Sequence, residues 1–374
     1  MNRFIQFMKK IEWVNASFLI FSPLIAISGI VFLAIHDAIQ MPTVIFSALF
    51  SIATGMAITT GYHRLFSHRS YEANVIVKLV FLLLGAACFE NSARLWASDH
   101  RNHHKYVDTE LDPYSIKKGF WHAHIGWIMV KRVRIACDNI TDLDKDALVQ
   151  FQYKHYLLIS ILVGFVLPMG IAALWGDPIG GLILGGFTRV VFNHHSTFAI
   201  NSFCHYFGTQ PYSDRNSSRD SWATALITYG EGYHNYHHTF PSDYRNGVRF
   251  YHWDPTKWLI WLLNRFGQAH DLRRISDATI LHVRLQRLER LILQKVERPA
   301  VQPDNVAERV TATRLAFETA FQHFQSLKTQ FRMMNRKGRR IKFELREARD
   351  KARTALNEWV QVCAWFGVHP RLRL

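Results

Sequence analysis

Four long apolar runs constrain this chain more than any other feature. They cover roughly residues 14–36, 42–62, 156–175 and 179–200, and each matches the ~20 residues that an α-helix needs to cross the hydrocarbon core of a bilayer. Backbone polar groups inside a bilayer must be satisfied within the segment itself, so runs of this kind fold as helices. The expected fold class is an all-α integral membrane protein: four transmembrane helices capped by a cytoplasmic helical domain.

The basic residues set the orientation. The links "DAIQM" and "GDP", which join the runs in pairs, contain no Lys or Arg, whereas residues 1–13, 63–155 and everything after the fourth run are basic. Lys and Arg accumulate on the cytoplasmic side of short loops, so both termini and the 63–155 segment are expected to face the cytoplasm. The start "MNRFIQFMKKIEW" is too polar, and the run after it too long, for a cleavable signal peptide. The first span is therefore retained. A further apolar run, 76–89, is short and holds Lys78, which marks an interfacial or half-buried helix and keeps its two flanks on one side of the membrane. The organisation that results is a cytoplasmic segment 1–13, a membrane domain 14–275 and a basic helical extension 276–374.

The four cysteines, Cys88, Cys137, Cys204 and Cys363, form no C-x-x-C pair, so neither a disulfide framework nor a thiolate metal site is indicated. The net charge of +16 is concentrated late: Asp271 to Leu374 holds 22 Lys and Arg against 11 Asp and Glu. No zinc-finger or helix-turn-helix signature accompanies it, and no nucleic acid partner is expected. Such a charge fits anionic lipid head groups or an acidic redox partner. Within the extension, Ile280, Val283, Leu285, Leu288 and Ile292 recur at helical spacing. Pro299 and Pro303 interrupt the pattern, and two further helical stretches, about 305–335 and 340–365, are separated near Gly338.

The 20 histidines cluster. Box one is "HRLFSH", with His63 and His68. Box two is "DHRNHHKYVDTELDP", with His100, His103 and His104. Box three is "GEGYHNYHHTFPSDYRNG", with His234, His237 and His238. Residues at i, i+3 and i+4 share one face of a helix, so each H-x-x-H-H is expected to aim three imidazoles at one point. Eight neutral nitrogen donors exceed the ~4 ligands of a single zinc-like ion. Two metals are therefore implied, from the imidazole-binding set of Zn, Cu, Fe and Ni. His122, His124, His252, His270, His282, His323 and His369 lie outside the boxes and read as surface or satisfied core residues. Glu231 and His234 form the Glu-x-x-His pair of carboxylate-bridged di-iron bundles, but that design needs the motif twice. Glu231 reads instead as a carboxylate that orients a ligating imidazole through its other nitrogen.

Taken together, "HRLFSH", "DHRNHHKYVDTELDPYS", "NSFCHYFGTQPY" and "GEGYHNYHHTFPSDYRNG" resemble the membrane-bound acyl-CoA desaturases, the stearoyl-CoA Δ9 desaturases. The resemblance covers roughly residues 15–275, in order and at the family's spacing, and is to a bacterial-type enzyme without a fused cytochrome b5. It implies a ligand set of His63, His68, His100, His103, His104, His205, His234, His237 and His238, with Asn201 holding a metal through water. These residues would serve two Fe2+ about equally. Asn201 and His205 are one helical turn apart and share a face. His194 and His195 lie about two turns further along the same span, where a lining or hydrogen-bonding position is expected.

The same resemblance implies that O2 and two electrons are consumed per cis double bond formed. The kink of a bent acyl tunnel matches Trp96, Thr197 and Glu90. Glu90 stands where the animal enzymes carry Gln, and Arg94, one turn on, is expected to pair with it. The far end of the tunnel is expected along the second span, where the small residues Ser51 and Gly55 would admit longer chains; close helix packing is the other use of such residues. The contacts to CoA phosphates match Arg101, Lys131 and Arg132, side chains suited to phosphate and equally to a phospholipid. The substrate is thus a long-chain acyl-CoA or an acyl-lipid. Electrons are expected from a separate ferredoxin or from cytochrome b5 with its reductase. The active site should face the cytoplasm, from the inner membrane of a bacterium or the endoplasmic reticulum of a eukaryote. A di-iron fatty-acyl or alkane hydroxylase is the alternative. A membrane metal carrier fits less well, because the spans hold few ionisable groups.

Overall fold

The long helices follow the apolar runs. In the computed structural model, which describes residue 6 and residues 8–131, 138–296, 306–334 and 339–368, the segments Trp13–Ile35, Met41–Ser67 and Tyr156–Ala173 are helices of 23, 27 and 18 residues. Each is long and apolar enough to cross a membrane. Their outward faces stay apolar: Phe21, Leu24 and Ile27 on the first helix and Leu157 and Leu158 on the third are all exposed. A helix that is hydrophobic all round requires either a core or lipid around it.

The fourth run departs from expectation. Pro178–Gly180, Gly181–Thr188 and Arg189–Tyr206 follow one another as continuous helical turns, but Arg189, Asn193, His194 and His195 dilute the apolar stretch. Among the described residues three helices, not four, meet the length and composition of a span. Arg189 is buried. Its guanidinium donates to the carbonyls of Gly185 (2.7 Å), Ala87 (2.9 Å) and Gly164 (3.1 Å) and to the Thr54 hydroxyl (3.2 Å), and it lies 4.8 Å from the centre of the Phe50 ring. A buried cation is tolerable when its donors are used in this way. Here they tie three helices together.

The second helix does not stop at residue 62. Its last 11 residues, Ala57–Ser67, wind more widely than an α-helix, and the His68 N–H donates to the carbonyl of His63 five residues back, at 3.0 Å. Box one therefore sits at the end of the helix rather than after it. In an α-helix, residues five apart point roughly 140° apart, whereas the wider i→i+5 winding brings them closer to one direction. This local geometry lets an H-x4-H spacing present both rings to one place.

The run after box one forms Val75–Ala86, 12 residues capped by Asn74, whose side chain accepts from the Val77 N–H. It is too short to span, and Lys78 pairs with Asp146 at 3.1 Å. Two short antiparallel strands, Glu72–Ala73 and Ala269–His270, fix its start, with Glu72 opposite His270. Behind the histidine boxes lies a core of buried residues that includes Ile58, Tyr62, Leu65, Phe66, Leu82 and Ile260.

Pro211–Asp214 and Ile275–Leu374 form a separate unit. Its helices are Asp277–Val296, Val306–Met333 and Arg339–Trp365, closed around Leu285, Ile292, Phe317, Phe321, Leu356 and Trp359. Arg314 bridges Glu289 (2.9 Å) and Glu318 (2.7 Å), His282 contacts Glu318, and Asp214 joins the unit through Arg287 at 3.1 Å.

Candidate metal centre

Four helices deliver nine imidazoles to one buried place. His63 lies in the wide turns at the end of the second long helix and His68 directly after them. Ala93–Tyr106 carries His100, His103 and His104, Arg189–Tyr206 carries His205, and the short His234–Thr239 helix carries His234, His237 and His238. The side chains form two groups whose nitrogens lie within 4.8 Å of one another: His63, His68, His100, His104 and His237; and His103, His205, His234 and His238.

The grouping corrects the expectation that each H-x-x-H-H aims at one point. The i and i+4 members stay together, His100 with His104 and His234 with His238, while the i+3 member of each box, His103 or His237, joins the group centred on the other helix. Two short helices thus exchange one histidine each. Nine donors divide into five and four.

The nitrogens face inward. In the first group the Nε2 atoms of His63 and His237 are 3.0 Å apart, those of His68 and His100 2.7 Å, and those of His104 and His237 2.9 Å. In the second group the Nε2 atoms of His205 and His234 are 3.1 Å apart, those of His234 and His238 3.0 Å, and those of His103 and His238 3.3 Å. Ligand nitrogens at the corners of a tetrahedron with ~2.05 Å metal bonds would be roughly 3.3 Å apart.

The opposite ring nitrogens of His63, His103 and His205 are already engaged. His63 Nδ1 lies 2.9 Å from Glu231 Oε2, His103 Nδ1 2.8 Å from Asp112 Oδ1, and His205 Nδ1 2.7 Å from the Ser217 hydroxyl, which itself donates to Asp108 at 2.6 Å. A neutral imidazole has a single N–H. With that proton directed to Glu231, Asp112 or Ser217, the bare lone pairs of these rings point at one another across the cluster. Lone pairs so arranged repel unless a cation lies between them, and this donor set therefore fits metal ions.

Burial favours the same state. It pushes the imidazoles of His68, His100, His104, His234, His237 and His238 well below their usual range, and the neighbouring histidines push them further. Neutral rings are the ligating form. Burial alone would raise Glu231, but Arg64 and His63 hold it below its ordinary value. Asp112 behaves likewise: burial raises it, His103 and the N–H groups of Asp108 and Tyr114 outweigh burial, and it is held low. Glu231 is a hub, accepting from Arg64 Nη2 at 2.8 Å and from the Asn246 amide at 2.5 Å. Arg64 also reaches Asp254 at 2.9 Å. The carboxylate that sequence reading assigned to an unspecified imidazole thus faces His63.

A cavity of about 710 Å3 opens against the cluster, lined on that side by His63, His100, His103 and His234. This lies within the range of small-molecule sites, roughly 300–1,000 Å3. Trp96, Thr197, Glu90 and Asn201 line it too. Trp96 stacks on His100 with ring centres 5.0 Å apart. Asn201 lies one turn before His205. Lys131 lines the cavity and is exposed, while Arg132 lies outside the described residues. His194 also lines it and contacts the Cys88 carbonyl at 2.8 Å, whereas His195 pairs with His124 at 3.0 Å.

Three expectations change. Arg94 donates to Asp144 at 2.6 Å, and Glu90 instead accepts from Thr197 (2.9 Å) and from the Trp96 indole (3.4 Å). The reason is local: Glu90 precedes the Ser92 cap of the Ala93–Tyr106 helix, between Phe89 and Asn91 in left-handed conformations, so one-turn spacing does not relate it to Arg94. Burial then pushes the Glu90 carboxyl up to about 8 against the pull of its two donors.

Arg101 does not present itself to a phosphate. Its nitrogens donate to the carbonyls of Ser67, Phe66 and Asn139 and to both oxygens of Asp142, at 2.6–2.9 Å. These contacts use all five donors of a guanidinium. It pins the end of the wide-turn helix that carries box one. At Gly55, an added Cβ would meet the Tyr229 ring at 2.5 Å, and the Ser51 hydroxyl lies 3.3 Å from the Asn193 side-chain oxygen. The smallness of Gly55 serves close approach of an aromatic ring, and neither residue lines the cavity.

The fatty acid desaturase profile matches residues 12–270. The chain belongs to the fatty acid desaturase family. Relatives in the family include a probable acyl-CoA desaturase of Schizosaccharomyces pombe, 43% identical over 275 residues, 73% of this chain and 57% of that protein. Acyl-CoA desaturase 1 of Saccharomyces cerevisiae is 41% identical over 293 residues, 76% of this chain and 56% of that protein. Stearoyl-CoA desaturase 5 of Bos taurus is 33% identical over 259 residues, 66% and 77% of the two chains. The match to the two yeast desaturases thus spans less than two thirds of their length.

Asp112, Ser217, Asp108 and Tyr114, which contact the clustered imidazoles directly or through one another, do not stand out in the sequence. Asp112 lies inside box two, nine residues after His103, and a carboxylate so close to a histidine box was a usable signal. Ser217 carried none, since only the fold brings it to His205.

Proposed function

We propose that this chain is an O2-dependent acyl desaturase that inserts a cis double bond, at the Δ9 position, into a saturated long-chain acyl-CoA or acyl-lipid. The observation that carries the reading is the five-and-four cluster of imidazoles, lone pairs inward, opening on a cavity of about 710 Å3. The names of the relatives favour desaturation over hydroxylation. Two Fe2+ held by the nine histidines, with Asn201 assisting the four-histidine group, would supply with O2 the oxidising power needed at unactivated methylenes.

The protein's own residues do the rest. Glu231 and Asp112 hold His63 and His103 in the ligating tautomer. Trp96 and Thr197 shape the cavity beside the cluster, and a neutral Glu90 presents a hydrogen-bonded wall instead of a charge to the acyl chain. Lys131 is placed to meet an anionic head group. The Pro178–Tyr206 segment acts as a fourth span, with Arg189, Asn193 and His194 buried, and both termini face the cytoplasm. A ferredoxin, or cytochrome b5 with its reductase, delivers electrons to the basic cytoplasmic face.

The test is a fatty-acid profile, with double bonds located by mass spectrometry, from cells lacking their own desaturase and expressing this chain or its His234→Ala form. A new cis-monounsaturated acid confined to the unmutated chain is the expected result. Hydroxylated acids in its place would overturn desaturation in favour of the hydroxylase.

A further inference from the structure

The separate helical unit buries most of its large apolar side chains; Leu315 and Trp365 are exposed singly, and the three other exceptions lie near one end. Phe317, Phe321 and Trp359 lie in its core, yet Met333 and Met334, in the last turn of Val306–Met333 and directly after it, are 79% and 49% exposed. Phe343, about one turn into Arg339–Trp365, is 68% exposed. Single exposed apolar residues are ordinary. Three large ones clustered around the turn of one helical hairpin leave that end apolar, and an exposed apolar end of this kind points to an interaction surface.

The same end is basic. Arg332, Arg340 and Lys342 are exposed, and the sequence from Phe331 to Phe343 contains no Asp or Glu. Arg340 contacts Glu344 at 2.9 Å, but that pair is exposed, with 93% of the arginine side chain accessible, and exposed pairs of this kind are weak and easily exchanged.

We propose that this hairpin end is a docking tip for the surface of a bilayer rich in anionic lipid, with Met333, Met334 and Phe343 entering the head-group region and Arg332, Arg340 and Lys342 meeting the lipid charges. A bilayer interface supplies both halves of the match in one place, apolar depth and negative charge. Long basic side chains suit it, because their stems lie along apolar surface while the charge stays in water. The apolar helices of the first unit tether the tip to a membrane, so even weak docking would be favoured by high local concentration. An acidic protein would satisfy the cations alone.

The test uses the full chain in nanodiscs of phosphatidylcholine, with and without phosphatidylserine, and follows hydrogen exchange in peptides covering 328–334 and 339–346. Exchange there should slow about tenfold in the phosphatidylserine discs only, and high salt should reverse the effect. Phe343→Ser combined with Met333→Ser, and separately Arg340→Glu combined with Lys342→Glu, should each abolish the slowing. Unchanged protection around Phe317 and Trp359 would show that the variants fold. Equal exchange in both discs overturns the proposal, whether fast in both or slow in both. Slowing that requires added cytochrome b5 and not phosphatidylserine overturns it in favour of a protein partner.

Discussion

The first unit encloses a polar centre: nine imidazoles, Glu231, Asp112 and Arg64, with apolar packing behind them. The second encloses a mainly apolar one, with Phe317, Phe321, Leu356 and Trp359 inside and the Arg314–Glu318 pair its main buried charge contact. Both are helical, and their helices begin and end by the same rules. The difference lies in what holds them. An apolar core is non-directional and tolerates exchange of like for like. A buried polar cluster is stable only when every member has its partner, and loss of one partner exposes the cost of all the others. A site with chemistry is therefore fragile in a way that a packing unit is not.

The largest effect to expect is loss of function from a single ring. His237→Ala and His234→Ala should each leave no measurable new double bond, while metal analysis of the purified protein tells the groups apart: His237→Ala weakens the five-histidine site and His234→Ala the four-histidine site. Equal loss of both metals from either variant would mean that the two groups act as one.

Stability sharpens the contrast next. Glu231→Ala strips Arg64 and His63 of a buried carboxylate, and breaking a buried pair of this kind costs about 3–5 kcal/mol. Trp359→Ala opens a void in the second unit at a similar cost of about 3–5 kcal/mol. The readouts should differ. Glu231→Ala lowers metal content together with the unfolding temperature, whereas Trp359→Ala loosens hydrogen exchange in residues 277–365 and leaves metal content unchanged. Metal loss in Trp359→Ala would erase the distinction drawn between the units.

The smallest expected effect is a slope with pH. The folded protein keeps the Glu90 carboxyl neutral up to about 8, against an ordinary value of 4.5. Between those values the folded state holds a proton that the unfolded chain has released, so Glu90 lowers stability as pH rises from about 4.5 to 8. Glu90→Gln should flatten that part of the unfolding-temperature profile. An identical profile in the variant would mean that Glu90 is ionised in the fold.

Much of this was legible without a structure. Of the four apolar runs read as spans, three are membrane-length helices among the described residues, and the spacing inside boxes two and three announced helices but not the division of their histidines between two groups. Glu231 stood out because a lone Glu-x-x-His could not be a di-iron ligand motif. Arg101 departs from expectation, and at Gly55 close packing is the use the fold makes of a small residue, for one reason: a basic side chain or a missing side chain states what a residue can do, not which neighbour has already claimed it. Asp142 and the carbonyls of Phe66, Ser67 and Asn139 had claimed Arg101, and the ring of Tyr229 had claimed the space at Gly55.

The sequence by itself determined the number and kind of donors, the helices that carry them, and their family. Periodicity and composition are local, and a helix of 3.6 residues per turn imposes them on any chain that adopts it. Only the tertiary structure decided that nine rings divide into five and four, that His103 and His237 cross between groups, and that Glu231 serves His63. Those outcomes depend on which helices face one another across the cluster, many through contacts between residues more than a hundred positions apart, and on how the widened turns before His68 are packed.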